Sequence, residues 1–147
     1  MKSDVTTLQK RLLGEILVSR SIITKQELEQ ALKAQKKEDK YIGEILINLG
    51  YAKEMDIVIA LVVQYNLPYI AIDRYDIDKN ILSLISKEFA CKNKLIPLDR
   101  VGNVLSVVMV DPLNEEIKSQ LHELTHCRIA PFIATEAEIL NAVNRYY

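Results

Sequence analysis

A chain of 147 residues, 49% of them hydrophobic, can bury one ordinary core or two very small ones, which excludes a disordered segment. Its 19 basic and 20 acidic side chains leave a formal charge of -1, so no global field draws it to nucleic acid or an anionic membrane, and any anionic ligand must be held locally. Polar residues interrupt the opening MKSDVTTLQKRLLGE where a secretory core would lie, and no later stretch is apolar for long enough to span a bilayer, so a cytoplasmic chain without direct membrane insertion is expected.

From Leu12 to Gln35 the chain reads LLGEILVSRSIITKQELEQALKAQ, and from Tyr41 to Gln64 it reads YIGEILINLGYAKEMDIVIALVVQ, a step of 29 positions later. Gly14 pairs with Gly43, Glu15 with Glu44, Ile16 with Ile45, Leu17 with Leu46, Ala31 with Ala60, Leu32 with Leu61 and Gln35 with Gln64, across the charged spacer KKEDK. This is an internal duplication. Leu13, Ile16 and Leu17 fall at i, i+3 and i+4, and Leu28, Ala31 and Leu32 repeat that spacing, so each copy predicts two helices. Thr24 followed by Glu27 reads as a capping box that starts the second helix after a short turn at Ser21 to Ile23. Two such hairpins predict a four-helix unit over 1–66. The last of its helices contains DIVIALVV, which is apolar nearly all round and is expected to be central and covered on several sides.

Beyond YNLPYIAID the texture changes. Leu95 to Leu98 and Val104 to Val110 are short β-type runs around RVGN, a hairpin signal with Gly102 and Asn103 at its tip. Pro112 to Thr125 reads as a helix, Arg128 to Ile133 as a strand, and Thr135 to Tyr147 as a last helix with Thr135 and Glu138 in capping-box positions. The predicted class is α+β: duplicated helical hairpins, then a small α/β subdomain with a short sheet over 67–147.

Gln35 lies at i+7 from Leu28 and Gln64 at i+7 from Ile57, so each amide ends an otherwise apolar face. Either each caps a neighbouring backbone group, or the pair serves a shared purpose such as a ligand. Gly14 and Gly43, inside helical patterns, pose the same alternative between close helix packing and close approach of a ligand.

A Leu-Gly start, two aliphatics, a turn, then L-x-x-A-L-x-x-Q, repeated across a five-residue spacer, resembles the MshEN domain of type II secretion and type IV pilus assembly ATPases. NLPYIAID, NKLIPLDRVGNVLSVVMVDPLN and PFIATEAEILNAVNRYY resemble the remainder of that domain, so the likeness covers nearly the whole chain and the two parts form one family domain. The resemblance implies a regulatory domain that binds cyclic di-GMP, one half of the ligand per repeat. Carried over residue by residue, it implies one half-site of Leu13, Gly14, Leu17, Val18, Ile22, Leu28, Leu32 and Gln35. The other would comprise Ile42, Gly43, Leu46, Ile47, Tyr51, Ile57, Leu61 and Gln64, and Asp111 in VDPLN matches a family aspartate. Family members carry Arg just before the Leu-Gly start; here Leu12 and Tyr41 stand there, and Arg11 and Lys40, one residue earlier and so turned by about 100° on a helix, are the candidate cations for the ligand's phosphates. Ser21 replaces the turn glycine that Gly50 keeps. The implied partners are an ATPase domain or the inner-membrane assembly proteins of secretion and pilus machinery. The alternative is an adaptor that docks on that machinery without nucleotide.

HELTH, from His122 to His126, matches the HExxH zinc-protease pattern, but a strand is predicted directly after it, which would leave His126 at a helix end. No metal and no cofactor are therefore expected. The chain carries no GxxxxGK[ST], so no ATP hydrolysis, and no enzyme activity, is expected of it alone. Cys91 and Cys127 form no CxxC and are expected to be reduced.

Overall fold

Each copy of the repeat folds as its apolar spacing requires, into a helix, a tight turn and a second helix. In the computed structural model, which describes residues 13–38 and 40–147, the first copy supplies α1 (residues 13–19) and α2 (Lys25–Gln35). The second supplies α3 (Ile42–Asn48) and α4 (Glu54–Tyr65). These helices belong to one compact unit that ends at Asn66, and Leu67–Tyr147 forms another.

The turns that follow α1 and α3 are built alike. Ser21 N–H donates to Val18 O and Ile22 N–H to Leu17 O, both at 3.0 Å; Gly50 N–H donates to Ile47 O and Tyr51 N–H to Leu46 O, again both at 3.0 Å. This paired closure needs a left-handed residue, and Ser21 (φ 61°) and Gly50 (φ 78°) occupy that position. The second helices start differently. Thr24 Oγ1 accepts from Glu27 N–H at 3.1 Å while the Glu27 carboxylate accepts from Thr24 N–H at 2.8 Å, which completes the expected capping box. In the second copy Lys53 stands in the place of Thr24, and an ammonium has no lone pair, so only Asp56 accepting from Lys53 N–H at 2.9 Å remains.

Leu17, Ala31, Ile45, Leu46 and Ala60 form the core of the first unit, and α2 packs on α3. Helix α4 departs from expectation. Ile57, Val58, Ala60 and Leu61 are buried, but Met55, Ile59 and Val63, at i, i+4 and i+8, remain 47%, 43% and 63% exposed. A helix apolar on every side has more apolar surface than this unit covers.

The second unit opens with a 3-10 turn (Ile72–Arg74), α5 (Lys79–Leu82) and α6 (Lys87–Asn93), in a stretch where the sequence pattern assigns no element. Then follow β1 (Leu95–Val101), β2 (Val104–Met109), α7 (Glu115–Thr125), β3 (Arg128–Ile133) and α8 (Glu136–Tyr146). Strands β1 and β2 pair antiparallel, with Gly102 (φ 62°) in their turn, and α7 carries the chain to β3, parallel to β2, for a sheet order β1-β2-β3. Leu105, Val107, Val108 and Met109 of central β2 are all buried, as expected for a strand covered on both faces. Helix α7 begins at Glu115 rather than Pro112, because Asn114 Oδ1 accepts from Ile117 N–H at 3.1 Å and caps it there.

Aromatic hydroxyls tie the end of the chain to the start of this unit. Tyr146 donates to Tyr75 O at 2.6 Å, and the Tyr147 hydroxyl lies 2.9 Å from Ile85 O and 3.1 Å from Leu82 O. Tyr69 donates to the Glu138 carboxylate at 2.7 Å. Burial, with a smaller push from Cys91, raises the Tyr147 phenol to about 12; the bond to Glu138, then burial, raises Tyr69 to about 12. An unfolded tyrosine titrates near its usual value of about 10, so the stability held by these neutral phenols is complete below that pH and drains as pH rises from about 10 to 12. The urea midpoint of the wild type should therefore fall more steeply across that window than that of a Tyr69→Phe/Tyr147→Phe variant. Equal slopes would remove both tyrosines from the account.

Candidate functional site

The duplicated positions of the first unit separate by burial into a scaffold and a surface. Leu13, Gly14, Leu17 and Leu28 of the first copy are buried, as are Ile42, Gly43, Leu46, Ile57 and Leu61 of the second. Val18, Ile22 and Leu32 are half-buried, and so are Ile47 and Tyr51, which hold the repeat positions of Val18 and Ile22. The periodicity that defines the repeat is that of a core-facing stripe, so residues matched by repeat alone are buried in the main.

Both glycines are notches for a neighbouring helix. A Cβ on Gly14 would run into Leu28, and one on Gly43 would stand 3.3 Å from Cγ2 of Ile57, which is the repeat partner of Leu28. In the second copy the ring of Tyr41 also lies over the glycine, with Cε2 2.6 Å from that Cβ position. Close packing of each hairpin's two helices therefore fills the space at both positions.

The polar members are unequal. Gln35 Nε2 donates to the carbonyl of Lys40 at 3.0 Å, whereas Gln64 is exposed and makes no side-chain hydrogen bond among the described residues. Lys40 is exposed, its Nζ 3.9 Å from the Glu38 carboxylate, a separation that exposed charges screen heavily. The Tyr51 hydroxyl donates to Gln30 Oε1 on α2, a residue that nothing in the repeat pattern singles out. Arg11 and Leu12 lie outside the described residues. Asp111 lies in the second unit, half-buried, two residues past β2, where its carbonyl accepts from Asn114 N–H at 3.2 Å.

The HExxH match does not make a metal-binding face. His122 is on α7 with Nδ1 2.9 Å from Cys127 O; a carbonyl can only accept, so Nδ1 carries the proton. His126 is the residue that ends the helix, at φ 57°, so the two imidazoles do not share a helical stripe. No group of three or more His, Cys, Asp or Glu among the described residues could hold a metal ion. No helix among them is long and apolar enough to cross a membrane. Cys91 is exposed and Cys127 buried, both as free thiols.

Comparison with known proteins extends over both units. Residues 65–147 match the MshEN domain. Over 135 residues the chain is 36% identical to the type IV pilus assembly ATPase PilB of Myxococcus xanthus, an overlap of 92% of this chain and 24% of that protein. Over 146 residues it is 26% identical to the type IV pilus assembly ATPase PilB of Thermus thermophilus, or 98% of this chain and 16% of that protein. The chain thus spans at most 24% of the length of these relatives. The solved structure of MshE with cdg superposes with a TM-score of 0.76 at 30% identity, covering 92% of this chain and 98% of that one. The N-terminal domain of XpsE shares the fold, with a TM-score of 0.78 at 17% identity over 92% of this chain and 93% of that one.

Proposed function

We propose, since this chain belongs to the MshEN domain family, that it is a regulatory domain that binds cyclic di-GMP and acts within or beside a pilus or secretion assembly ATPase. The observation that carries the reading is the likeness to MshE with cdg, cyclic di-GMP, across nearly all of both chains. Physical chemistry supports it, because a ligand with two equivalent guanines suits a surface that presents two apolar positions, Val18 with Ile47 and Ile22 with Tyr51, once in each copy. Val18, Ile22 and Leu32 in one copy, and Ile47 and Tyr51 in the other, are the half-buried side chains proposed as walls for the purine faces. The buried members of the repeat act as the scaffold beneath them. The reading makes the chain a binding module rather than an enzyme, with the ATPase domain or inner-membrane assembly proteins on the cytoplasmic side as its partners.

Calorimetric titration with cyclic di-GMP tests the proposal. Saturable binding that GMP at the same concentration does not reproduce is the expected result. A flat titration would overturn it and leave the second reading, an adaptor that docks without nucleotide, which the exposed apolar row of Met55, Ile59 and Val63 favours.

A further inference from the structure

The second unit carries a groove that no sequence pattern announces. Helix α8 places Glu138, Ala142, Arg145 and Tyr146 at i, i+4, i+7 and i+8, one stripe along its length, which meets Ile72 and Asp73 of the 3-10 turn around a cavity of about 220 Å³. Tyrosines hold the walls at both ends. At one end the Tyr69 hydroxyl lies 2.7 and 2.9 Å from the two Glu138 oxygens. At the other Tyr146 donates to Tyr75 O at 2.6 Å, and Tyr75 N–H closes the 3-10 turn on Ile72 O at 2.9 Å. The floor is apolar, with Ile72 and Ala142 both buried, and the walls are charged.

Those charges do not cancel within the groove. The Glu138 carboxylate is held by Tyr69 and by the Thr135 hydroxyl, 2.9 Å from Oε1, which leaves lone pairs open, and the Asp73 carboxylate makes no hydrogen bond or ion pair among the described residues. The Arg145 guanidinium lies over the Tyr146 ring, 5.5 Å from its centre, and pairs with neither carboxylate. Both carboxylates are felt at the Tyr69 phenol, which the bond to Glu138, then burial, then the charges of Glu138 and Asp73 push up. Two carboxylates against one guanidinium leave the groove with an excess of negative charge.

We propose that this groove receives an arginine side chain of a protein partner. Its volume of about 220 Å³ is below the roughly 300–1,000 Å³ of small-molecule pockets, which suits one inserted side chain better than a nucleotide or a cofactor. The aliphatic stem of an arginine can lie on the Ile72 and Ala142 floor while its planar fork meets the carboxylates, and a guanidinium is easier to strip of water there than the ammonium of a lysine. The rings of Tyr69 and Tyr75, 43% and 45% exposed, are of the residue type that anchors protein interfaces. None of these residues belongs to the duplicated half-sites, so the cyclic di-GMP reading can fail without touching this one.

The probe is Nα-acetyl-arginine methylamide, titrated into isotope-labelled protein while the backbone amide resonances are followed. It should shift the amides of Asp73, Glu138 and Ala142 saturably, with a dissociation constant of about 1–10 mM, as a single side chain can supply. The citrulline counterpart, which keeps the shape without the charge, should bind about tenfold more weakly, and the lysine counterpart about threefold more weakly. Asp73→Asn should weaken arginine binding about threefold or more at an unchanged melting temperature, since Asp73 is exposed and its carboxylate holds nothing else in place. Equal binding of the arginine and citrulline probes, an affinity that Asp73→Asn leaves as it was, or no saturable shift at these amides would overturn the proposal. Saturable binding of the matching glutamate probe, tighter than that of arginine, would also overturn it and make Arg145 the anchor for an acidic side chain.

Discussion

Gly14→Val should destabilise the first unit by about 2–3 kcal/mol, the usual upper range for overpacking a filled core. The added Cβ would crowd Cδ2 and Cγ of Leu28 at 3.0 and 3.2 Å as well as the nearer methyl, so the whole branch has to move, and Leu28 is only 7% exposed. The slightly better helix propensity of valine returns only a few tenths of that, about 0.3 kcal/mol. Leu28→Ala alone should cost about 2–5 kcal/mol by leaving a cavity. Together, Gly14→Val and Leu28→Ala should cost at least about 1 kcal/mol less than their sum, because the valine methyls enter the space that Leu28 vacates. Gly43→Val should be milder, since the atom its Cβ would meet most closely belongs to a half-buried ring, that of Tyr41, and the core contact with Ile57 is longer, at 3.3 Å. Urea unfolding of the four proteins in the cycle measures this coupling, and strict additivity would sink the notch. If Gly14 were kept instead for a ligand's approach, Gly14→Val would leave unfolding unchanged and weaken only binding.

What could be read from the sequence was what contiguous residues encode. The capping box at Thr24 and Glu27, the turn at Gly102 and strand Arg128–Ile133 each announce themselves within a few neighbouring positions, and the duplication by a run of identities at one fixed offset. The 3-10 turn at Ile72, α5 and α6 did not, because each buries a single residue, Ile72, Leu82 and Ala90 in turn, and one apolar position makes no stripe. Only their caps betray two of them, with Asp78 Oδ1 accepting from Asn80 N–H at 2.8 Å and Ser86 Oγ from Phe89 N–H at 3.1 Å. The polar contacts around the candidate site were less legible still. Gln35 meets a backbone carbonyl, which carries no residue identity, and Tyr51 meets Gln30, whose repeat partner is Ile59. A repeat that keeps its core and changes its polar contacts looks more symmetric in sequence than it is in chemistry.

The turn that closes each hairpin tests how far that symmetry extends into energy. A side chain held in the left-handed region costs about 1–2 kcal/mol, which glycine escapes at the expense of greater freedom in the unfolded chain, so a net gain of about 1 kcal/mol is expected where nothing else holds the residue. Ser21 is such a residue, at φ 61° with no side-chain hydrogen bond among the described residues, and Ser21→Gly should stabilise the protein by about that amount. The mirror change, Gly50→Ser, should cost about as much, since it imposes on the second hairpin the strain that the first already bears. His126, at φ 57° beyond α7, should behave as Ser21 does. Lys94, at φ 52°, should not, because its ammonium lies 2.9 Å from the Glu136 carboxylate and glycine would discard that pair. Asn66, also at φ 52°, tolerates the region and should gain only a few tenths, about 0.3 kcal/mol. Urea midpoints should therefore rank Ser21→Gly and His126→Gly above Asn66→Gly and Lys94→Gly. A Ser21→Gly variant no more stable than the wild type, beside a Gly50→Ser variant that loses nothing, would mean that the two turns carry no strain and that the serine is as well suited to its turn as the glycine.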